Sequence, residues 1–221
     1  MWHSIPGIAA IVVLLLLFAG MAYRSIGERR DAKRRSAPGR LVSVGRRKLH
    51  LLCKGSIGPT IVIEQGAGEL SRYWWPVQDE IAKFASVCTY DRAGYAWSDP
   101  APRGRTIDDR AEELHSLLTN AAIPGPYVLV AHSYGGLIVR SFANKHPDEV
   151  AGLVLVDTAE EATILRRDVL DFYSKIRFVN IVVGLAARFG LLRLLKNWVP
   201  LDRFGFWLER PAEYAALCDD L

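Results

Sequence analysis

The stretch Tyr127–Thr158, YVLVAHSYGGLIVRSFANKHPDEVAGLVLVDT, decides the reading of this chain. Tyr127–Ala131 is a short apolar run suited to a buried strand. Tyr134–His146 carries apolar residues at helical spacing and is closed by Pro147, and Val150–Val156 is a second, nearly unbroken apolar run. Between the first strand and the helix stands Ala131-His132-Ser133-Tyr134-Gly135-Gly136. Small residues stand two positions to either side of Ser133, Ala131 and Gly135, as a sharp strand-to-helix turn needs if it is to hold a serine hydroxyl clear of the sheet edge. Ala131 takes the place of the first glycine in the usual Gly-x-Ser-x-Gly pattern. Gly135 and Gly136 permit close approach of strand and helix.

Working outward from this turn, the same alternation recurs. Leu41–Val44 and Lys48–Cys53 alternate as an edge hairpin, Thr60–Glu64 is an apolar strand ending in Gln65-Gly66-Ala67-Gly68, and Trp74–Phe84 has helical spacing. Ser86–Tyr90 is the next strand. Thr106 then caps a helix with an acid three residues on, running to about Asn120. Continuous apolar strands alternating with helices predict a mostly parallel sheet covered on both faces. After Thr158 the pattern becomes helical, with apolar residues interleaved with Arg188, Arg193 and Lys196. It is read as a cap with an apolar underside, or as a lid that touches lipid.

Three blocks, TIVIEQGAG, VCTYDRAGYAWSDP and the stretch quoted first, together resemble the α/β-hydrolase superfamily, in particular its bacterial esterase-, lipase- or peptidase-like members, over Leu41–Thr158. The resemblance implies a serine hydrolase acting on esters or amides through an acyl-enzyme, with Ser133 as nucleophile. The Tyr134 amide and an amide of the earlier glycine loop, Ala67, would receive the developing oxyanion. Asp157, at the end of the VAGLVLV strand, is read either as the triad acid or as a turn aspartate. The loop Asp91–Ser98 resembles a pocket wall whose Asp and Arg are structural. The resemblance also makes the strands bearing Cys53 and Cys88 neighbours. Two reduced core cysteines are the expectation, with a disulfide the alternative for an exported domain. Dehalogenase and epoxide hydrolase chemistry is disfavoured, because those enzymes use an aspartate where Ser133 stands. Aminopeptidase- or haloperoxidase-like chemistry stays open, as does a membrane-tethered module without catalysis.

A triad in this fold runs serine, acid, histidine, and His146 is the only histidine after Ser133. It falls at a helix end with no expected reach to the hydroxyl. The chain is therefore read as an incomplete hydrolase, lacking the last strands and the base, with weak or no hydrolysis of its own and an open sheet edge prone to association.

At the other end, Ile5–Tyr23 holds 19 uncharged residues, enough for a helix to span the roughly 30 Å of hydrocarbon in a bilayer. With no basic residue before it and a poor cleavage site after it, it is read as an uncleaved anchor. Arg24–Lys48 carries ten basic residues against Glu28 and Asp31, so this local +8 leaves −4 for the remainder of a chain of net charge +4. Such a flank fits anionic headgroups and a cytoplasmic side, not nucleic acid. The organisation is thus an anchor at 1–23, a basic tether at 24–40, a hydrolase core at 41–158 and an incomplete cap at 159–221. Membrane lipid and a small ester or amide are the expected partners. Three cysteines without metal spacing, and chemistry that needs no cofactor, lead to none being expected.

Overall fold

A computed structural model describes residues 4–34, 37–102, 104–160, 162 and 166–195. The C-terminal part of the expected cap, 196–221, lies outside the described residues. Two compact units appear: residues 37–177, which hold the sheet, and the N-terminal helix together with residues 178–195.

The sheet has six strands: β1 (Arg40–Val44), β2 (Arg47–Lys54), β3 (Thr60–Glu64), β4 (Ser86–Tyr90), β5 (Tyr127–His132) and β6 (Val150–Val156). Their order is β1-β2-β4-β3-β5-β6. The β1–β2 hairpin forms the antiparallel edge and β3, β4, β5 and β6 run parallel. Every strand expected from the apolar runs is present, as is the edge hairpin. This is the mostly parallel sheet with flanking helices that the sequence predicts.

Period-two alternation assigns the two faces of the sheet. Val62, Cys88, Tyr90, Leu129 and Ala131 point to the face where α3 (Ile107–Asn120) and α4 (Gly135–Lys145) contribute Leu114, Leu117, Leu118, Ile138 and Phe142 to one buried cluster. Thr89 points to the opposite face, where its hydroxyl donates to Gln78 Oε1 on α2 (Trp75–Ile81). The amide of Gln78 donates to the Leu52 and Val87 carbonyls, tying α2 down. The N-terminus of α3 is the expected capping box. The Asp109 amide donates to Thr106 Oγ1 at 3.1 Å, and the Thr106 amide donates to the Asp109 carboxylate at 2.8 Å. On the outer strand, β6, Leu153–Val156 remain 38–47% exposed, an apolar sheet edge.

Cys53 stands directly opposite Cys88 on β2 and β4, and the two are joined in a disulfide. This corrects the expectation of two reduced core thiols. Antiparallel pairing in direct register brings the two sulfur atoms together, a relation that spacing along the chain does not contain.

In the other unit, α1 (Ser4–Arg34) includes Gly7–Gly27, 21 residues of mean hydropathy 2.1, a stretch long and apolar enough to cross a membrane. The helix continues through the first half of the expected tether. Residues 24–34 are mostly Arg, Lys, Glu and Ala, good helix formers that extend a helix already nucleated by the apolar run. Within the same unit, the turn after α5 (Arg167–Arg188) packs on α1 at Gly20, where an added Cβ would sit 2.2 Å from the Phe189 carbonyl oxygen. A short α6 (Leu191–Leu195) follows.

Candidate active site

Ser133 sits between β5 and α4 with φ of +49°. A non-glycine residue reaches that region at a cost of about 1–2 kcal/mol, so the surrounding contacts must hold it there. Its amide donates to the Val156 carbonyl at 3.3 Å, and its own carbonyl accepts from Gly136 at 3.0 Å and Ala159 at 2.9 Å. The glycines after it are sterically required. A Cβ at Gly135 would lie 2.5 Å from the Glu64 carbonyl oxygen, and one at Gly136 would lie 2.4 Å from Thr158 Cβ. The tight turn expected at Ser133 is therefore formed, with the serine at the carboxyl edge of the sheet.

Tyr134 occupies the N-cap of α4, where the N–H groups of the first turn form the positive end of the helix dipole. Its ring lies against the guanidinium groups of Arg92, at 5.7 Å, and Arg110, at 5.9 Å. The glycine loop packs on the same turn, since an added Cβ at Gly66 would lie 3.2 Å from Ser133 Cβ. Arg92 donates to the Gly66 carbonyl and to the Gln65 carbonyl, both at 2.6 Å. In a planar trans peptide the Ala67 N–H points opposite the Gly66 carbonyl, so Arg92 fixes the direction of the Ala67 amide, away from the guanidinium.

Arg92 is itself anchored. It is buried against Glu64 at 2.7 Å, and Glu64 also accepts from the Tyr90 hydroxyl. Burial, and then the negative Glu64, hold the Tyr90 hydroxyl well above the ordinary tyrosine range, so it stays protonated and donates. The structural role expected for the Asp91–Arg92 pair is seen in both residues: Asp91 accepts from the Ser71 amide at 3.0 Å and faces His50 Nδ1 at 2.8 Å.

Asp157 directly follows β6, and the pairing of His132 with Val156 puts it at the same sheet edge as Ser133. It is exposed, with φ of +43°, a turn conformation in which aspartate is enriched. Each of the four described histidines has a charged or aromatic neighbour other than Ser133. His50 faces Asp91, His115 and His146 stack on each other, and His132 Nδ1 lies 2.8 Å from Glu69 Oε1. His146 caps the far end of α4, whose 11 residues set it about 16 Å along the helix from the serine turn.

Several residues in this arrangement carry no sequence signature. Glu69 accepts from the Gly66 amide at 2.8 Å and from Trp74 Nε1 at 3.1 Å while facing His132, and so knits the glycine loop to the end of β5. Its place three residues after Gly66 is compatible with a turn of any chemistry.

The α/β hydrolase fold family model matches residues 59–193. The chain belongs to the α/β-hydrolase family. Among its relatives, the uncharacterized protein YqjL of Bacillus subtilis is 42% identical over 106 residues, covering 48% of this chain and 42% of YqjL. The uncharacterized vacuolar membrane protein YNL115C of Saccharomyces cerevisiae is 32% identical over 137 residues, 54% of this chain and 21% of the yeast protein. This chain thus spans less than half the length of either relative. Among solved structures, the enol-lactonase from Burkholderia xenovorans superposes with a TM-score of 0.57 at 21% identity, covering 82% of this chain and 72% of the lactonase, a likeness of fold.

Proposed function

We propose that this α/β-hydrolase cleaves carboxylic esters, with Ser133 as the nucleophile of an acyl-enzyme mechanism at a membrane surface. The observation that carries this reading is the left-handed serine at the end of β5, φ +49°, with the glycine loop packed against its Cβ. Strain of this kind is retained where a group must be presented rather than packed. In the proposed reaction Ser133 Oγ attacks the substrate carbonyl. The tetrahedral oxyanion accepts from the Tyr134 and Ala67 amides, the alcohol leaves, and water hydrolyses the acyl-serine. Asp157 is the candidate acid. A preference for apolar acyl groups is part of the proposal, on the apolar residues that the sequence carries after Thr158, and no cofactor enters this chemistry.

The proposal includes a general base from outside these 221 residues, because each described histidine is held by other partners or lies far along a helix. Hydrolysis by the chain alone is then slow, supported only by oxyanion donors and binding. The helix at Gly7–Gly27 supports single-pass anchoring. On sidedness two features oppose each other: the basic flank favours the cytoplasm, and the Cys53–Cys88 disulfide favours an oxidising compartment. We take the disulfide as the stronger guide, since the positive-inside bias of a lone anchor is readily overridden by the domain that follows.

Labelling of the detergent-solubilised chain with a fluorophosphonate, against Ser133→Ala, tests the reading. Slow labelling that Ser133→Ala abolishes is expected. Fast Ser133-dependent labelling would show a base within the chain and remove that clause alone. Labelling that survives in Ser133→Ala, or none in a folded sample, would remove Ser133 as the nucleophile.

A further inference from the structure

Away from the serine turn, α3 and α4 hold a second cluster of reactive side chains. Glu112 and His115 are three residues apart on α3 and share a face. His146, at the C-cap of α4, stacks on His115 with ring centroids 3.8 Å apart and planes 8° apart. One ligand atom from each of Glu112, His115 and His146 lies within 4.8 Å of the others. His146 Nε2 is buried without a hydrogen-bond partner, and its nearest anion, Glu112 Oε1, is 3.6 Å away, too long for a hydrogen bond. His115 Nε2 faces Glu149 Oε1 at 3.0 Å, which brings a second carboxylate to the same place. The Phe142 ring, 5.1 Å from His146 and 6.0 Å from His115, gives the cluster an apolar floor.

We propose that Glu112, His115 and His146 form a binding site for a divalent transition metal of the zinc type, with Glu149 available as a fourth ligand. Two imidazoles and one or two carboxylates are a donor set suited to zinc, cobalt or nickel, whereas magnesium and calcium prefer oxygen alone. Bringing one donor atom of each side chain onto a common ion requires the two imidazoles to rotate out of their stacked arrangement. The cluster has a resident cation, Lys145 Nζ, 3.2 Å from Glu112 Oε1 and 3.9 Å from Asp108 Oδ2. The metal displaces this ammonium, which is one-third exposed and has Asp108 to move to. Because α4 separates the site from Ser133 by about 16 Å, the metal acts as a clip joining α3, α4 and the turn before β6, not as a Lewis acid for the hydrolase. The site therefore stands or falls independently of the proposed esterase activity.

Calorimetric titration of the full chain in detergent with zinc chloride, supported by the visible spectrum with cobalt(II), tests the site. One equivalent is expected to bind, with a tetrahedral cobalt spectrum and a raised melting temperature. His115→Ala and His146→Ala should each weaken binding by more than the roughly 10–100-fold that an outer-shell change gives. Lys145→Gln should tighten it, since the competing cation is gone. Circular dichroism of each metal-free variant establishes that it is folded. Absence of binding in the folded wild type, unchanged affinity in the double variant His115→Ala/His146→Ala, or weaker binding in Lys145→Gln would each overturn the proposal.

Discussion

Ser133 carries a backbone cost that glycine in the same place would not. Ser133→Gly should therefore raise stability by about 1 kcal/mol, or a melting temperature gain of about 2–4 °C, while abolishing fluorophosphonate labelling. A variant that melts lower would show that the serine side chain is bound in place for packing. At Arg92 the balance is reversed. Arg92→Met leaves the buried Glu64 carboxylate without its guanidinium counter-charge and releases the Gly66 carbonyl, so it should cost about 3–5 kcal/mol. Adding Glu64→Gln should recover part of that loss, because the stranded charge is removed. A double-mutant cycle from urea unfolding reads the coupling, and strict additivity would show that the pair is not an energetic unit.

Among the elements, α3 has a cap that responds to acid. The Thr106 amide and then its hydroxyl hydrogen-bond the Asp109 carboxylate and hold its pKa below the ordinary 3.8. The folded value lies below the unfolded one, so the contribution is fully present above the ordinary aspartate range and is lost as pH falls through the lowered value. Asp109→Asn should therefore destabilise at pH 7 and become indistinguishable from wild type at the acid end, in melts taken across that range. The hairpin edge depends instead on a covalent tie. Cys53 and Cys88 are 35 residues apart, and closing a loop of that length restricts the unfolded chain by about 3–4 kcal/mol. Cys53→Ala/Cys88→Ala should lose stability on that scale without loss of the sheet, as judged by denaturant midpoint and circular dichroism.

For the molecule as a whole, the apolar helix makes location a measurable property. The protein should resist carbonate extraction, and deletion of residues 1–36 should release the sheet unit from membranes. A bulky maleimide applied after denaturation without reductant should leave Cys53 and Cys88 unmodified. Modification of both would place the domain in a reducing compartment and support the orientation that the basic flank favours.

Much of this was legible in the residues. Thr60–Glu64, Tyr127–Ala131 and Val150–Val156 read as parallel strands because unbroken apolar runs suit burial on both faces, a burial that the outer strand β6 lacks among the described residues. The Ser133 turn was legible because its geometry demands small neighbours, and the Thr106 cap because both partners lie within one turn of helix. Arg92 with Glu64, Glu69 with His132 and Glu112 with His146 were not legible as pairs, and Cys53 with Cys88 was legible only as the alternative that the family resemblance implied. Each joins separate elements, 28 residues apart in the first case, and any of these side chains suits many other surroundings. Local patterning determined which segments are strands and helices and where the half-buried serine of the turn stands. Only the packing of the sheet against its helices decided which buried charges meet, which loop amide is turned by Arg92, and where the histidines are held.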